Sequence, residues 1–313
     1  MRAAVLHAHG EVPEPGEFRE PEPDEDAEVV EILAAGMNPV DIRIAGGAFP
    51  LERHEPPYVA GKEGIGRRHD GSLVYFEYSR EPFGAFAERT LLAAGDGYPL
   101  PAGLDPALAV CLGVSGLAAW LSLEWRARLQ PGETVLVLGA SGVVGQIAVQ
   151  AAQLLGAGRV VAAARDPEGL ERAGRLGADA VVALDAVDDL AAALRGAAGG
   201  DGYDVVLDPL WGEPLRTALA VARPFARFVN MGQSAGTEIN LSSAAIRSTP
   251  VDLLGYTNYT AGDERKAAAY GRLARHAAAG EIVVETERIG IDDVPDAWRR
   301  QGGSPGRKLV IVP

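Results

Sequence analysis

One cysteine (Cys111), three methionines and three lysines are all that this 313-residue chain holds of those residue types. A lone cysteine excludes an internal disulfide framework, and it fits a cytoplasmic protein. Basic residues occur only in short runs such as Arg67–Arg68, Arg299–Arg300 and Arg307–Lys308, against a formal net charge of −14. An acidic chain with no basic face excludes nucleic acid and anionic membrane as partners. No apolar run has the length of a membrane span. The opening MRAAVLHAHG turns polar too soon for a signal peptide. The acids crowd between Glu11 and Glu28, where prolines punctuate them, which reads as a solvated loop and strand edge.

What remains is an ordinary globular composition, 47% hydrophobic and 23% charged, long enough for two domains. In the first hundred or so residues short apolar runs alternate with Gly, Pro and charge (Ala3–Leu6, Val29–Leu33, Leu73–Phe76), the pattern of a β-rich, loop-heavy domain. From about Leu112 the pattern becomes strand and helix in alternation. Strands are predicted at 134–138, 159–164, 180–183, 203–207 and 226–230, and helices at 143–155, 167–176, 187–195 and 214–222. That order predicts a doubly wound parallel sheet of the α/β class. A last strand near Val251–Leu254 and a long helix over Asp263–Ala279 close the unit. The segment after Gly280 reads as a strand (EIVVET), a short helix around Pro295–Arg300 and a terminal strand over Lys308–Val312, returning to the first domain. The expected division is residues 1–111 with 280–313, and residues 112–279.

The densest signal is TVLVLGASGVVG, residues 134–145. A branched apolar strand breaks into small residues, and a helical pattern follows. Ala140, Gly142 and Gly145 occupy the three fingerprint positions of a dinucleotide turn, with Ala140 in place of the first glycine. Small residues at Ala140, Ser141, Gly142, Val143 and Val144 let backbone N–H groups approach a pyrophosphate at the positive end of the helix. The next strand ends at Ala164, where an NAD-selective chain would carry an acid, and Arg165 follows. An acid there would repel a 2′-phosphate, whereas an arginine pairs with it, so the expected cofactor is NADP(H). Asp166 reads as the cap of the helix starting at Pro167.

These pieces, with MRAAVL, AAGMNPVDIR (34–43), GAFAE (84–88), VSGLAAWLSL (114–123), LGADAVV (176–182), DVVLDPLWG (204–212), RFVNMG (227–232) and GRKLVIVP (306–313), resemble the medium-chain dehydrogenase/reductase superfamily. The likeness is to its zinc-independent quinone oxidoreductase branch. It implies a Rossmann domain inserted in a GroES-like β-rich domain, and an NADPH-dependent transfer of hydride to a quinone or α,β-unsaturated carbonyl. A tailoring enoyl reductase of a bacterial biosynthetic pathway is one form of this; a non-catalytic nucleotide-binding protein of the same fold is the alternative. It also implies a homodimer, for which the strand near Val251–Leu254 is a candidate edge.

Zinc-dependent relatives carry a cysteine and a histidine where this chain resembles them with Asn38 and Lys62. Five scattered histidines and Cys111 do not replace those ligands, so no metal is expected. The resemblance makes Asn38 an orienting donor near the acceptor oxygen, or else a turn-forming residue before Pro39. Asp41 reads as a residue that holds the loop. Phe49 stands where many relatives have a tyrosine, has no proton to give, and reads as an apolar wall. Lys62 either donates to a developing enolate or sits in a salt bridge. Tyr58 and His54 are nearby alternatives. For the cofactor the resemblance adds Ser115, Met231 and Gly232. It also adds Lys308, read either as a 2′-phosphate neighbour or as an exposed edge-strand charge. Leu184 replaces a tyrosine contact of relatives, and Cys111 reads as packed.

Overall fold

The computed structural model describes all 313 residues, which divide into two compact units. One comprises Met1–Val114, Tyr270–Gly280 and Val284–Pro313; the other comprises Ser115–Ala269 and Glu281–Val283.

The second unit is built on a six-stranded, wholly parallel sheet. Its spatial order is Ala180–Ala183, Arg159–Ala164, Thr134–Leu138, Tyr203–Asp208, Ala222–Asn230, Val251–Gly255. Counted within the unit this is 3-2-1-4-5-6, the Rossmann order, in which the chain reverses direction beside the first strand. Every residue of the TVLVL strand is buried, as a central parallel strand covered on both faces requires. The helix Val143–Leu154 buries a seam of Ile147, Ala148, Val149, Ala151 and Ala152. Val251–Gly255 forms one edge, with Leu253 exposed. The sequence reading of a doubly wound parallel sheet holds, with most boundaries within two residues.

In the first unit Ala27–Gly36 is the hub. It pairs antiparallel with Lys308–Ile311, Glu63–Arg67 and Arg89–Ala93, and its sheet continues through Leu73–Phe76 to Tyr98–Pro99 on one side and to Thr286–Ile289 on the other. A second sheet joins Glu14–Glu17, Arg2–Leu6 and Tyr58–Val59. Leu6, Val30, Ile32, Met37, Phe76, Phe86, Leu92, Trp298 and Leu309 share one apolar core.

Two expectations shift. The long helix runs Asp263–Ala278, and from Tyr270 onward it belongs to the first unit. There the Tyr270 ring stacks on Tyr75 at 4.6 Å and its hydroxyl donates to the Ala109 carbonyl. The EIVVET segment is not a strand at its start: Val283 is held by the Gln150 side chain, which accepts from its N–H and donates to its carbonyl. The strand begins only at Thr286.

Candidate functional site

In the parallel-sheet unit, the chain leaves the first strand through Gly139, whose φ of +64° lies in the left-handed region that favours glycine. The Gly142 N–H donates back to the Gly139 carbonyl at 3.1 Å, closing a tight turn. Gly142 then caps the helix Val143–Leu154 with extended backbone. The N–H groups of that helix's first turn have no intrahelical acceptors. The two fingerprint glycines differ in what they permit. A Cβ on Gly145 would lie 2.5 Å from the Ala140 Cα and the Gly139 oxygen, so its absence lets the helix rest on the turn. A Cβ on Gly142 would meet nothing closer than the Gly139 oxygen at 3.5 Å, and its φ of −76° suits any residue. The chain's own packing therefore does not require glycine at 142, and the space above it stays clear for a ligand.

Arg165 follows the second strand, exposed and with no ion pair or side-chain hydrogen bond of its own. Asp166 accepts from the Gly169 N–H at 2.9 Å and so is spent as a helix cap. Met231 and Gly232 leave the fifth strand half-buried, locked to the fourth through Asp208. The Asp208 carboxylate accepts from Leu210 N, Trp211 N and Asn230 Nδ2, while burial pushes its pKa up. Ser115 is buried in the helix Val114–Leu121, and Leu184 is half-buried just past the third strand.

The first unit holds the other candidates in two adjoining polar groups. At the centre of one is Glu63, wholly buried. One carboxylate oxygen accepts from Lys308 Nζ at 2.7 Å and Asn38 Nδ2 at 2.8 Å; the other accepts from Tyr75 Oη at 2.9 Å and Val114 N at 2.7 Å. Lys308 also donates to Asn38 Oδ1 at 2.6 Å, and the second Asn38 amide hydrogen goes to the Gly36 carbonyl. Gly36 makes the crossing possible: a Cβ there would sit 2.6 Å from both Lys308 Cε and Glu63 Oε1. Two sequence expectations are corrected here. Lys308 lies on an interior strand, 1% exposed, and its ammonium is consumed by Glu63 and Asn38, so it is neither an edge charge nor available to a 2′-phosphate. Asn38 has both amide hydrogens engaged inside the fold, which removes it as a donor to an acceptor oxygen.

Asp41 couples this group to the next. Its two oxygens accept from Asn38 N at 2.6 Å and Lys62 N at 2.9 Å, and burial pushes its pKa up to about 7. Beyond it lies a cavity of about 100 Å³ walled by Asp41, Glu52, His54, Tyr58, Lys62 and Tyr78, with Phe83 and Trp298 as apolar sides. Lys62 Nζ donates to Glu52 Oε2 at 2.5 Å, stands 4.0 Å from Glu77 and lies 3.8 Å over the Tyr78 ring. The His54 ring contacts Glu52 at 2.9 Å through Nε2 and Glu81 at 2.7 Å through Nδ1, and it packs 5.1 Å from Tyr58. The hydrogen bond to Glu52 raises the His54 pKa, aided by Glu81 and opposed by partial burial. Burial raises that of Tyr58 as well. The cavity thus gathers Lys62, Tyr58 and His54 in one place. Phe49 is half-buried and is not among the residues that wall this cavity. Cys111 is buried, its thiol donates to Ala107 O, and burial pushes its pKa up to about 12, so it is packed and unreactive.

The sequence reading missed Glu52, Glu77 and Glu81, and the role of Glu63. Glu52 and His54 alternate along the chain, a spacing that sets two side chains on one side of an extended segment. Glu81 comes from a separate loop, and no local pattern marks it.

A family model for zinc-binding dehydrogenases matches residues 143–271. The chain is 31% identical over 250 residues to quinone oxidoreductase-like protein 2 of Bos taurus, covering 77% of this chain and 68% of that protein. It is 29% identical over 312 residues, 95% of its own length, to a phenolphthiocerol/phthiocerol polyketide synthase of Mycobacterium tuberculosis, of which it spans only 14%. Among solved structures, the quinone oxidoreductase of Thermus thermophilus, determined alone and with NADPH, superposes with a TM-score of 0.85 at 29% identity over the full length of both chains. The matched dehydrogenase region excludes positions 38, 62 and 63. Those positions offer an amide, an ion-paired ammonium and a carboxylate already accepting four hydrogen bonds, and no three His, Cys, Asp or Glu side chains converge on one point. That donor set does not fit a zinc ion.

Proposed function

Because the chain belongs to the quinone oxidoreductase branch of the medium-chain dehydrogenase/reductase superfamily, we propose that it is an NADPH-dependent, zinc-free reductase of quinones or α,β-unsaturated carbonyls. The turn at Ala140, Ser141, Gly142, Val143 and Val144 holds the pyrophosphate, and Ser115, Met231 and Gly232 serve as further contacts to the nucleotide. Arg165 pairs with the 2′-phosphate. When bound, the nicotinamide supplies the hydride. Conjugated acceptors suit a site without a Lewis acid, because their low-lying π system accepts hydride with no further activation. Lys62 donates the proton to the oxygen that becomes negative, and Tyr58 helps to shape the cavity that bounds it.

The observation that carries this reading is the unpaired Arg165 beyond a strand that ends in alanine, together with a glycine at 142 that the fold itself does not need. The test compares NADPH and NADH oxidation with a panel of quinones, alkenals and cyclic enones. Wild type is expected to favour NADPH, and Arg165→Gln to lower kcat/KM for NADPH by about 10–100-fold while sparing NADH, the worth of a charge-assisted hydrogen bond. Equal use of both nucleotides by wild type would overturn the role of Arg165. Binding of NADPH without turnover would favour the non-catalytic alternative.

The alignment with one segment of a polyketide synthase supports a narrower form, a tailoring enoyl reductase in a biosynthetic pathway. Turnover of thioester-linked enoyl substrates in preference to free quinones is the outcome that selects it. A homodimer joined along the exposed Val251–Gly255 edge belongs to the same proposal, checked by sedimentation.

A further inference from the structure

We propose that Glu52, His54 and Glu81 form a proton relay that recharges Lys62 from solvent. This rests on the reductase reading, in which Lys62 gives up a proton in each cycle. The contacts form one unbroken chain: Lys62 Nζ to Glu52 Oε2 at 2.5 Å, Glu52 Oε1 to His54 Nε2 at 2.9 Å, and His54 Nδ1 to Glu81 Oε1 at 2.7 Å. Side-chain exposure rises along it without a reversal, 2% at Lys62, 13% at Glu52, 22% at His54 and 59% at Glu81. An ordinary surface ion pair has no such gradient. An ammonium whose side chain is only 2% exposed, and that must lose and regain a proton, is well served by a path of this kind.

The groups facing His54 come from several segments. Glu52 and Glu81 bind its ring, Tyr58 packs against it, and the His9 ring contacts its backbone carbonyl at 2.9 Å and fixes the loop. Asp41, Lys62 and Glu77 share the cavity wall. Histidine is the one side chain whose ordinary titration lies near neutral pH, which suits it to the middle of a relay.

The proton balance closes. Hydride delivery puts two electrons and one hydrogen on the acceptor and leaves an enolate or hydroquinone oxyanion. Lys62 breaks one N–H bond, that oxygen gains the proton, and Lys62 becomes a neutral amine. The His54 imidazolium passes its Nε2 proton to Glu52 Oε1. A half-turn of the carboxyl about its last torsion, which is two-fold and soft, brings that proton to Lys62 Nζ. The ring is then neutral with its proton on Nδ1, and one solvent proton taken up at the partly exposed ring, drawn there by the exposed Glu81 carboxylate, restores the imidazolium. The net reaction consumes one hydride and one solvent proton per acceptor.

Two measurements test this. In nucleotide-free protein, the His54 ring is titrated by NMR. Lys62→Met is expected to raise the midpoint by removing a cation from Glu52, and Glu81→Gln to lower it. A midpoint indifferent to Lys62→Met overturns the relay whether or not the protein is a reductase. In turnover at low buffer concentration, His54→Gln is expected to leave the first hydride transfer and the NADPH affinity unchanged. It should lower steady-state kcat about tenfold or more, with recovery on adding imidazole. Full steady-state rate in His54→Gln, or a loss that imidazole does not restore, overturns the relay while the reductase reading stands. Wild type that turns over none of the acceptors with NADPH removes the reductase reading and, with it, the catalytic use of the relay.

Discussion

The glycine turn of the parallel-sheet unit and the Asn38–Glu63–Lys308 cluster of the other unit are built on opposite plans. The turn is made of backbone, from consecutive residues 139–145, and its chemistry is the N–H groups that a helix start cannot use. The cluster is made of side chains from positions as distant as 38, 63, 75 and 308, and its chemistry is a buried carboxylate with four donors. The turn leaves its donors open to a ligand. The cluster closes on itself, so its buried charges and amide hold one sheet together and offer no free group to a ligand.

The sharpest way to break the first plan is Gly145→Val. Even its Cβ would lie 2.5 Å from the Ala140 and Gly139 backbone, which cannot yield as a flexible side chain would. A loss of about 4 kcal/mol or more in urea unfolding is expected, enough to deplete the folded state. Breaking the second plan costs slightly less. Lys308→Met leaves Glu63 as a buried carboxylate without its cation, a loss of about 3–5 kcal/mol. The double variant Glu63→Gln with Lys308→Met should recover a good part of it, because no charge is then left buried. A double variant as unstable as Lys308→Met alone would mean that Lys308 acts through packing over Gly36 and not through its charge.

Only the side-chain plan responds to pH. Asp41 is buried and its folded pKa is raised to about 7, from an ordinary value near 4. Between those values the folded state binds a proton that the unfolded state has released, so the stability Asp41 contributes falls as pH rises from about 4 to 7 and is flat beyond. The ceiling on that loss is about 4 kcal/mol. His54 adds to it, since a raised histidine pKa gives stability that is full below the unfolded value and fades as pH climbs through the folded one. Asp41→Asn should flatten the pH 4–7 slope in urea unfolding of the intact chain, at the cost of a hydrogen bond to Asn38 N or Lys62 N. A slope unchanged in that variant would assign the pH dependence elsewhere.

The same division explains what the sequence made legible. Strand, turn and helix around residues 134–155 are local patterns, and the parallel sheet follows from their repetition. The exposed place of Arg165 was readable because it directly follows the end of one strand. Lys308 was misread because its partners lie some 245 and 270 positions away, and nothing near GRKLVIVP says that the strand is interior. Asn38 was misread for the same reason: a resemblance locates a position, whereas only the fold shows that its amide is already bonded. Lys62 was left open between donor and salt bridge; it makes the salt bridge, and it does so within a cavity whose other walls come from residues 41–84 and 298.

The smallest stability effect carries the most pointed test of the backbone plan. Gly142→Ala adds one methyl group where the nearest atom outside the immediate chain is 3.5 Å away and φ is already that of an ordinary residue. Alanine is a poorer N-cap than glycine, but it also restricts the unfolded chain, and these two contributions oppose each other. Net stability should therefore stay within about 1 kcal/mol of wild type. Nucleotide affinity should not: with the pyrophosphate held by this turn as proposed, a methyl group added in the open space at 142 would crowd it, and a tenfold or greater rise in the NADPH Kd is expected, about 1.4 kcal/mol. Measured together by urea unfolding and NADPH titration, the two numbers separate a glycine kept for the fold from one kept for a ligand. Unchanged NADPH affinity in a fully stable Gly142→Ala protein would move the phosphate away from this turn.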